Sequence, residues 1–514
     1  MEFDIIFIIG ETFFDSPLCG TAILKRLLEK YGYTVGVIEL PQKEEEIKKL
    51  GKPKLFFGVS SGSMDSMVRN YTPLKKLRCE DEHQDYIEQV PDRAVIVYSN
   101  WIKRFFKDSI IVLGGTEASL RRFIHYDYWD NKLRKPILCD SRANILAYGS
   151  AEKQILEIAA KIKNHESLQG ILGTCILSTE KPKDFIGLPS YDEVMISKER
   201  FCDMQILLNN TKNIAQKIDN RYVLQYKSPL YTSHDLDEYY ELQFTRSSTP
   251  KHLRGFDFSV VSHRGCIGEC NFCSLPLMQG NTIISRTEES ILQEITKMAR
   301  LSFFKGNIDD LGGPSVNMYG MDCNLCEKSC IHCAKLDRSN TRLINLLRKA
   351  RSIPGINNVY IRSGIRYDLA SPEYIHEIAK YHIFDTLRIS PEHVNKTVLR
   401  LMNKDQGNLS TFIQEFKKTN KELSFYFMAA HPGSSMIEAH ELADAIHAYR
   451  NAESVQVFTP TPMTVSTCMY YTGLDPTTKK KVYVPYTYSE KKMQKRLVFE
   501  KMNLNNDFPK KRKN

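Results

Sequence analysis

The residues with the clearest chemical potential are Cys266, Cys270 and Cys273, three thiols spaced C-x3-C-x2-C within Ser262-His263-Arg264-Gly265-Cys266-Ile267-Gly268-Glu269-Cys270-Asn271-Phe272-Cys273. Three thiolates cannot close the four-ligand tetrahedral site that structural zinc prefers. They suit a cubane iron–sulfur cluster in which the protein holds three irons and the fourth stays open to a small ligand. Gly265 and Gly268 free the backbone to wrap closely around such a cluster. Three buried thiols in an ordinary turn are the plain alternative, and the flanking signals weigh against it.

A second set, Cys323-x2-Cys326-x3-Cys330-x2-Cys333, lies further along and encloses His332. Four ligands at that spacing fit an auxiliary iron–sulfur cluster or zinc; the alternative is free cysteines in a surface loop. Seven of the 13 cysteines therefore fall within residues 266–333. Such crowding favours metal ligation over a disulfide framework. The net charge is +10, and the sequence closes on Pro509-Lys510-Lys511-Arg512-Lys513-Asn514. A basic balance permits RNA or another anionic partner, although a solvated tail on a mildly basic surface is the favoured explanation. No basic region precedes the first apolar run, and no apolar stretch reaches the roughly 20 residues that span a bilayer. A cytoplasmic protein with no membrane segment is expected.

Those thiols need elements to position them. Over residues 4–9, 34–40, 54–60, 109–115 and 143–149, short apolar runs read as buried strands, and residues 93–107 and 151–163 read as helices. Leu24, Leu27, Leu28 and Tyr31 fall at helical spacing. The alternation predicts a doubly wound α/β domain over 1–165. Glycine-rich strand ends at Ser61-Gly62-Ser63 and Gly114-Gly115 stand where such sheets bind ligands. Residues 166–250, with a strand over 173–178 and a polar helix near 195–217, read as a connector packed on the core. Six strands over 258–262, 307–311, 357–363, 386–390, 424–430 and 454–459 define a core domain at 251–475. Its first helix is expected to be capped by Ser285-x-x-Glu288, with further helices over 371–380 and 436–450. Residues 476–514 should form a strap, a short helix near 489–502 and a disordered tail.

The three-cysteine loop resembles that of the radical S-adenosylmethionine (SAM) superfamily. Longer stretches, residues 55–67, 114–129, 310–314, Ser390-Pro391-Glu392-His393, His431-Pro432-Gly433 and 459–463, resemble the YgiQ family of radical SAM proteins. The resemblance runs to about residue 500. It implies a cobalamin-binding-like N-terminal domain, a radical SAM partial (β/α)6 barrel and a 4Fe–4S cluster whose open iron is chelated by SAM. It also implies Phe272 near the adenine, Gly312 and Gly313 presenting backbone to the methionine amine, and Gly433 allowing the adenine to approach. Arg388, Ser390 and Glu392 suit the SAM carboxylate and ribose hydroxyls, Arg388 by bidentate pairing. Pro314-Ser315 stand where the superfamily's glycine pair is usually followed by Glu. Cobalamin-binding relatives often carry Asp-x-His-x-x-Gly after the first strand. Here Asp15-Ser16-Pro17-Leu18-Cys19-Gly20 puts Pro17 in the histidine position, so cobalamin is expected to be unlikely.

The resulting expectation is a radical SAM enzyme that cleaves SAM reductively and turns a 5′-deoxyadenosyl radical on an unidentified substrate. Its electron must come from a flavodoxin- or ferredoxin-type donor. Two rival readings remain: an RNA-modifying, methylthiotransferase-like radical enzyme, and a non-enzymatic cysteine-rich metal-binding or interaction protein. The aromatic stretch His125-Tyr126-Asp127-Tyr128-Trp129, with Arg121 and Arg122, could face the barrel mouth or fill a seam between domains.

Overall fold

A computed structural model describes residues 2–78, 89–246, 255–323, 330–404, 407, 409–448 and 452–503. Ile5–Ile9 forms a strand because its five apolar side chains find cover on both faces. Ile6 and Ile8 enter one core, while Ile5, Phe7 and Ile9 enter another. This strand lies between Val35–Glu39 and Phe56–Ser60, and parallel pairing continues through Ile110–Leu113 to Ile145–Ala147. The sheet is doubly wound, and its connections change direction between Ile5–Ile9 and Phe56–Ser60. Helix Ala94–Phe105 covers one face, and helix Glu152–Lys163 covers the other.

The sheet does not stop near residue 165. Thr174–Ser178 pairs antiparallel with Ile145–Ala147, and Arg221–Gln225, Ile214–Ile218 and Ile186–Leu188 complete nine strands. Much of the expected connector is therefore sheet. The long polar helix near 195–217 resolves into Tyr191–Ile196 and Lys198–Leu207. Beyond it, Asp219 turns the chain at φ 51°, and Ile214–Ile218 folds back on Arg221–Gln225. Ile214, Ala215 and Ile218 are buried there, and hairpin pairing outweighs the polar local pattern.

The core domain is a partial (β/α)6 barrel. Ser259–Val261, the paired pieces Asn307–Ile308 and Asp310–Gly312, and Asn358–Val359 are joined by parallel ladders. Thr386–Glu392, Glu422–Ala429 and Ala452–Val457 form a second parallel run. Helices Glu288–Ala299, Thr341–Arg351, Pro372–Tyr381, Leu409–Phe416 and Met436–Ala448 send Ile291, Leu343, Ile375, Phe412 and Leu442 into one shared core. The cap of the first of these helices lies two residues later than expected. Thr287 Oγ accepts from the Ser290 N–H, whereas Ser285 pairs with His263 and accepts from the Gly320 N–H through its hydroxyl.

No described helix is long and apolar enough to cross a membrane. The C-terminal helix Tyr488–Asn503 packs on helix Met436–Ala448 and on the last two barrel strands, and the tail expected to be disordered from about 503 lies almost wholly outside the described residues. The aromatic stretch 125–129 forms a seam between domains. Tyr126 stacks on Tyr471 at 5.0 Å, Tyr128 meets Tyr470 edge-on at 5.7 Å, and Asp127 pairs with Arg93 and Arg134.

Lys491 reaches into this seam, its ammonium 3.0 Å from the Tyr128 hydroxyl and 2.6 Å from that of Tyr470. Burial, with a smaller push from Lys75, lowers it from 10.5 to about 8. Between those values the unfolded chain binds the extra proton, so this group adds stability as pH rises from about 8 towards 10.5. Thermal unfolding of wild type and Lys491→Met across that range should show the wild type gaining relative to the variant. Parallel curves would mean that the buried amine is not shifted.

Candidate active site

The cysteine loop sits at the carboxyl end of Ser259–Val261, where a β/α barrel collects its functional residues. Gly265 has φ 90°, and a Cβ there would lie 1.8 Å from the Thr282 carbonyl oxygen. Only glycine fits. Beyond it the loop is clamped from outside. The Cys266 N–H donates to the Gly280 carbonyl, the Asn271 N–H to that of Met402, and the Asn271 side-chain amide to that of Leu401. Asn403 donates to the Glu269 carbonyl, and the Ser466 N–H donates to that of Asn271.

Burial pushes the Cys273 thiol up to about 12 and raises that of Cys266. Arg366 and Lys404 pull the Cys266 thiol the other way, and Lys404 does the same for Cys273. Arg366 Nη1 lies 3.7 Å from Cys270 Sγ, and its guanidinium is held by Asp368 at 2.7 Å. A coordinating metal would ionise such thiols outright, and the cations beside them suit an anionic cluster. Among the described residues no three ligand-type side chains converge on a single ion. A cubane instead puts each thiolate on a separate iron. Three thiols on one preformed loop, flanked by cations, fit that group. The sequence reading missed Arg366 and Lys404, because an isolated Arg or Lys in a loop carries no spacing signal.

The other expected residues lie at varying reach. Phe272 meets His431 edge-on at 6.3 Å, and His431 holds the Ser466 hydroxyl at 2.7 Å. Gly312 ends the second strand and Gly313 follows it; a Cβ on Gly313 would strike the His263 ring. Gly433 has φ 95° and lies against Leu401. Glu392 follows a break in register, has φ 69°, and faces Lys404 at 3.4 Å; burial raises its carboxyl. Ser390 is half-buried, and Arg388, level with Ser424 on the next strand, has an exposed side chain. In the second cysteine set, Cys330 is buried, and Cys323 and Cys330 pack in one apolar cluster with Cys266 and Ile267. The Cys333 N–H donates to the Cys330 carbonyl, as that of Cys273 does to Cys270. Cys326 lies outside the described residues.

Between the two domains lies a cavity of about 660 Å³. Glu11, Gly62, Gly114 and Gly149 line it from the first sheet, His263 and Gly312 from the barrel, and Met278 from the short helix after Cys273. Pro17 also lines it.

A model of the radical SAM N-terminal region matches residues 1–258, one of the radical SAM superfamily matches 260–446, and a domain of unknown function (DUF3362) matches 453–509. A UPF0313 protein of Methanocaldococcus jannaschii is 44% identical, covering 96% of this chain and 89% of its own. The chain belongs to the UPF0313 family. Another family member, from Fusobacterium nucleatum, is 41% identical over 97% of this chain and 96% of its own. Among solved structures, the radical SAM methyltransferase TsrM of Kitasatospora setae, with cobalamin and a [4Fe-4S] cluster bound, shares the fold. It is 14% identical with a TM-score of 0.57, over 91% of this chain and 76% of its own. The cobalamin-dependent SAM radical enzyme OxsB, with aqua-cobalamin bound, is 10% identical with a TM-score of 0.50, over 91% and 55%. The recognition made from the motifs holds. The expectation against cobalamin finds no support, because both of these fold relatives hold it.

Gly265→Ala should strip the loop of iron while leaving the first domain folded, since its clash falls on the backbone of Thr282. Iron counting after anaerobic reconstitution, beside circular dichroism, checks this; a full iron complement would refute the constraint.

Proposed function

We propose that this protein is a radical SAM enzyme whose cluster sits on Cys266, Cys270 and Cys273. When bound, a reduced [4Fe–4S] cluster supplies one electron to SAM, which splits into methionine and a 5′-deoxyadenosyl radical that takes hydrogen from a substrate. The observation that carries this reading is the clamped loop with its three thiols, two flanking cations and the Gly312-Gly313 strand end close by. In the proposal Gly312 and Gly313 offer backbone to the SAM amine, and Phe272 and Gly433 border the adenine. Arg388, Ser390 and Glu392 serve its carboxylate and ribose, with Lys404 holding Glu392 in place. The electron donor would be of the flavodoxin or ferredoxin type. Replacing any one of Cys266, Cys270 or Cys273 with Ala should abolish reductive formation of 5′-deoxyadenosine with dithionite as reductant. Retained formation in one variant would remove that residue from the cluster and sink the reading.

A second reading, cobalamin bound at the cavity between the domains, is supported by the position of that cavity and by the ligands of the two fold relatives. Pro17 has neither a side-chain donor nor a backbone N–H, so cobalt would carry no imidazole from this segment. Hydroxocobalamin should co-elute with the protein on gel filtration with a spectrum free of histidine nitrogen on cobalt. A colourless protein peak would end this reading and leave the first one intact.

A further inference from the structure

Folding leaves polar atoms of several cavity-lining residues without partners. Glu152 Oε2 and Ser259 Oγ are buried, and neither has a hydrogen-bond partner among the described residues; nor has Gln279 Oε1, on the helix after Cys273. All three residues line the cavity. Buried polar atoms are rarely left unpaired, and three around one space point to a ligand that completes them. The charge of the wall narrows its chemistry. Glu11, Glu152 and Asp310 are the carboxylates that line the cavity. Arg264 is its one lining cation among the described residues, and it is already engaged. It holds Glu152 Oε1 at 2.7 Å, the Tyr240 hydroxyl at 3.2 Å and the Ser150 hydroxyl at 3.3 Å. A phosphate or carboxylate entering here would meet like charge and no free cation. Glu152 Oε2 and Gln279 Oε1 are acceptors, which N–H donors complement. Phe7, Ile23, Leu24, Val112 and Ile155 supply an apolar part of the wall.

We propose that the cavity takes a bulky ligand with an apolar body and neutral N–H donors at its edge, the chemistry of a carboxamide-rimmed macrocycle, and that Glu152, Ser259 and Gln279 read those donors. The proposal rests on the corrinoid reading for the kind of molecule. It adds which part is recognised: the amide rim, rather than a nucleotide tail with its phosphate.

Three probes separate these features. Hydroxocobalamin carries both amide rim and nucleotide tail, cobinamide keeps the rim but lacks the tail and its phosphodiester, and NAD carries two phosphates and no such rim. Each would be titrated into the full chain, reconstituted anaerobically, with equilibrium dialysis as the readout. Cobinamide should bind within about tenfold of cobalamin, and NAD should not bind. Ser259→Ala and Gln279→Leu should each weaken cobinamide by about tenfold, the loss expected of one buried hydrogen bond. Unchanged iron content and thermal unfolding would certify each variant as folded, and either folded variant suffices. Cobalamin binding without cobinamide binding would put recognition in the tail and overturn the proposal while the corrinoid reading stands. Cobinamide binding that neither folded variant weakens would overturn the assigned contacts. Binding of NAD would overturn the proposal, and binding of neither corrinoid would overturn the proposal and the corrinoid reading together. None of these outcomes touches the cysteine-variant test of SAM cleavage.

Discussion

Five hydrogen bonds hold the cysteine loop from outside, to Gly280, Leu401, Met402, Asn403 and Ser466. Within the loop the Cys273 N–H to Cys270 carbonyl bond closes only the last turn. Four of the five come from segments more than 100 residues downstream in the sequence, and these set the relative positions of the three thiols. A short glycine-containing loop could not hold this shape alone, because its conformational entropy is large. The barrel strands bring 401–403 and 466 to the loop, so closure of the barrel and preorganisation of the thiols are one event. This is the arrangement a metal site needs if its ligands are to be fixed before the metal arrives.

Charge is handled in the same outward manner. Arg366 would be an expensive group to bury alone, and Asp368 compensates it at 2.7 Å. Arg264, two residues before Cys266, is half-buried and pairs with the buried Glu152 of the first domain. The two domains thus share charges as well as apolar surface, and the cavity lies where those shared groups leave room. Glu392, Ala430 and Met463 all adopt left-handed backbone without being glycine. Such conformations persist only where surrounding packing enforces them, and all three stand at or beyond the carboxyl ends of barrel strands.

The sequence makes some of this legible and hides the rest for physical reasons. The strand Ile5–Ile9 and the helices Ala94–Phe105 and Glu152–Lys163 are local patterns, and their expected bounds lie within a residue or two of the structure. The three-cysteine loop is legible because its spacing is itself the signal. Thr287 displaces Ser285 as the cap because Ser285 is drawn into pairing with His263, a contact no local pattern reveals. Strand Ile214–Ile218 is hidden because its partner is a polar-looking segment across a tight turn. Arg366 and Lys404 reach the thiols from loops beyond the third and fourth strands, so only the closed barrel brings them together. Helix Thr341–Arg351 shows an apolar face once folded, yet the six basic or polar residues among its eleven mask that face in the linear sequence.

The core of the first domain includes Phe458, Met463, Cys468, Tyr470 and Val484 alongside Ile6, Phe57 and Tyr98. During synthesis the first domain leaves the ribosome hundreds of residues before those late side chains exist. Its apolar face must wait uncovered until the barrel has been made and the chain has come back. The folding order of the two domains is then not the order of their synthesis. Final packing of the first half depends on the last tenth of the chain, and a nascent chain stalled within the barrel would present that face to chaperones.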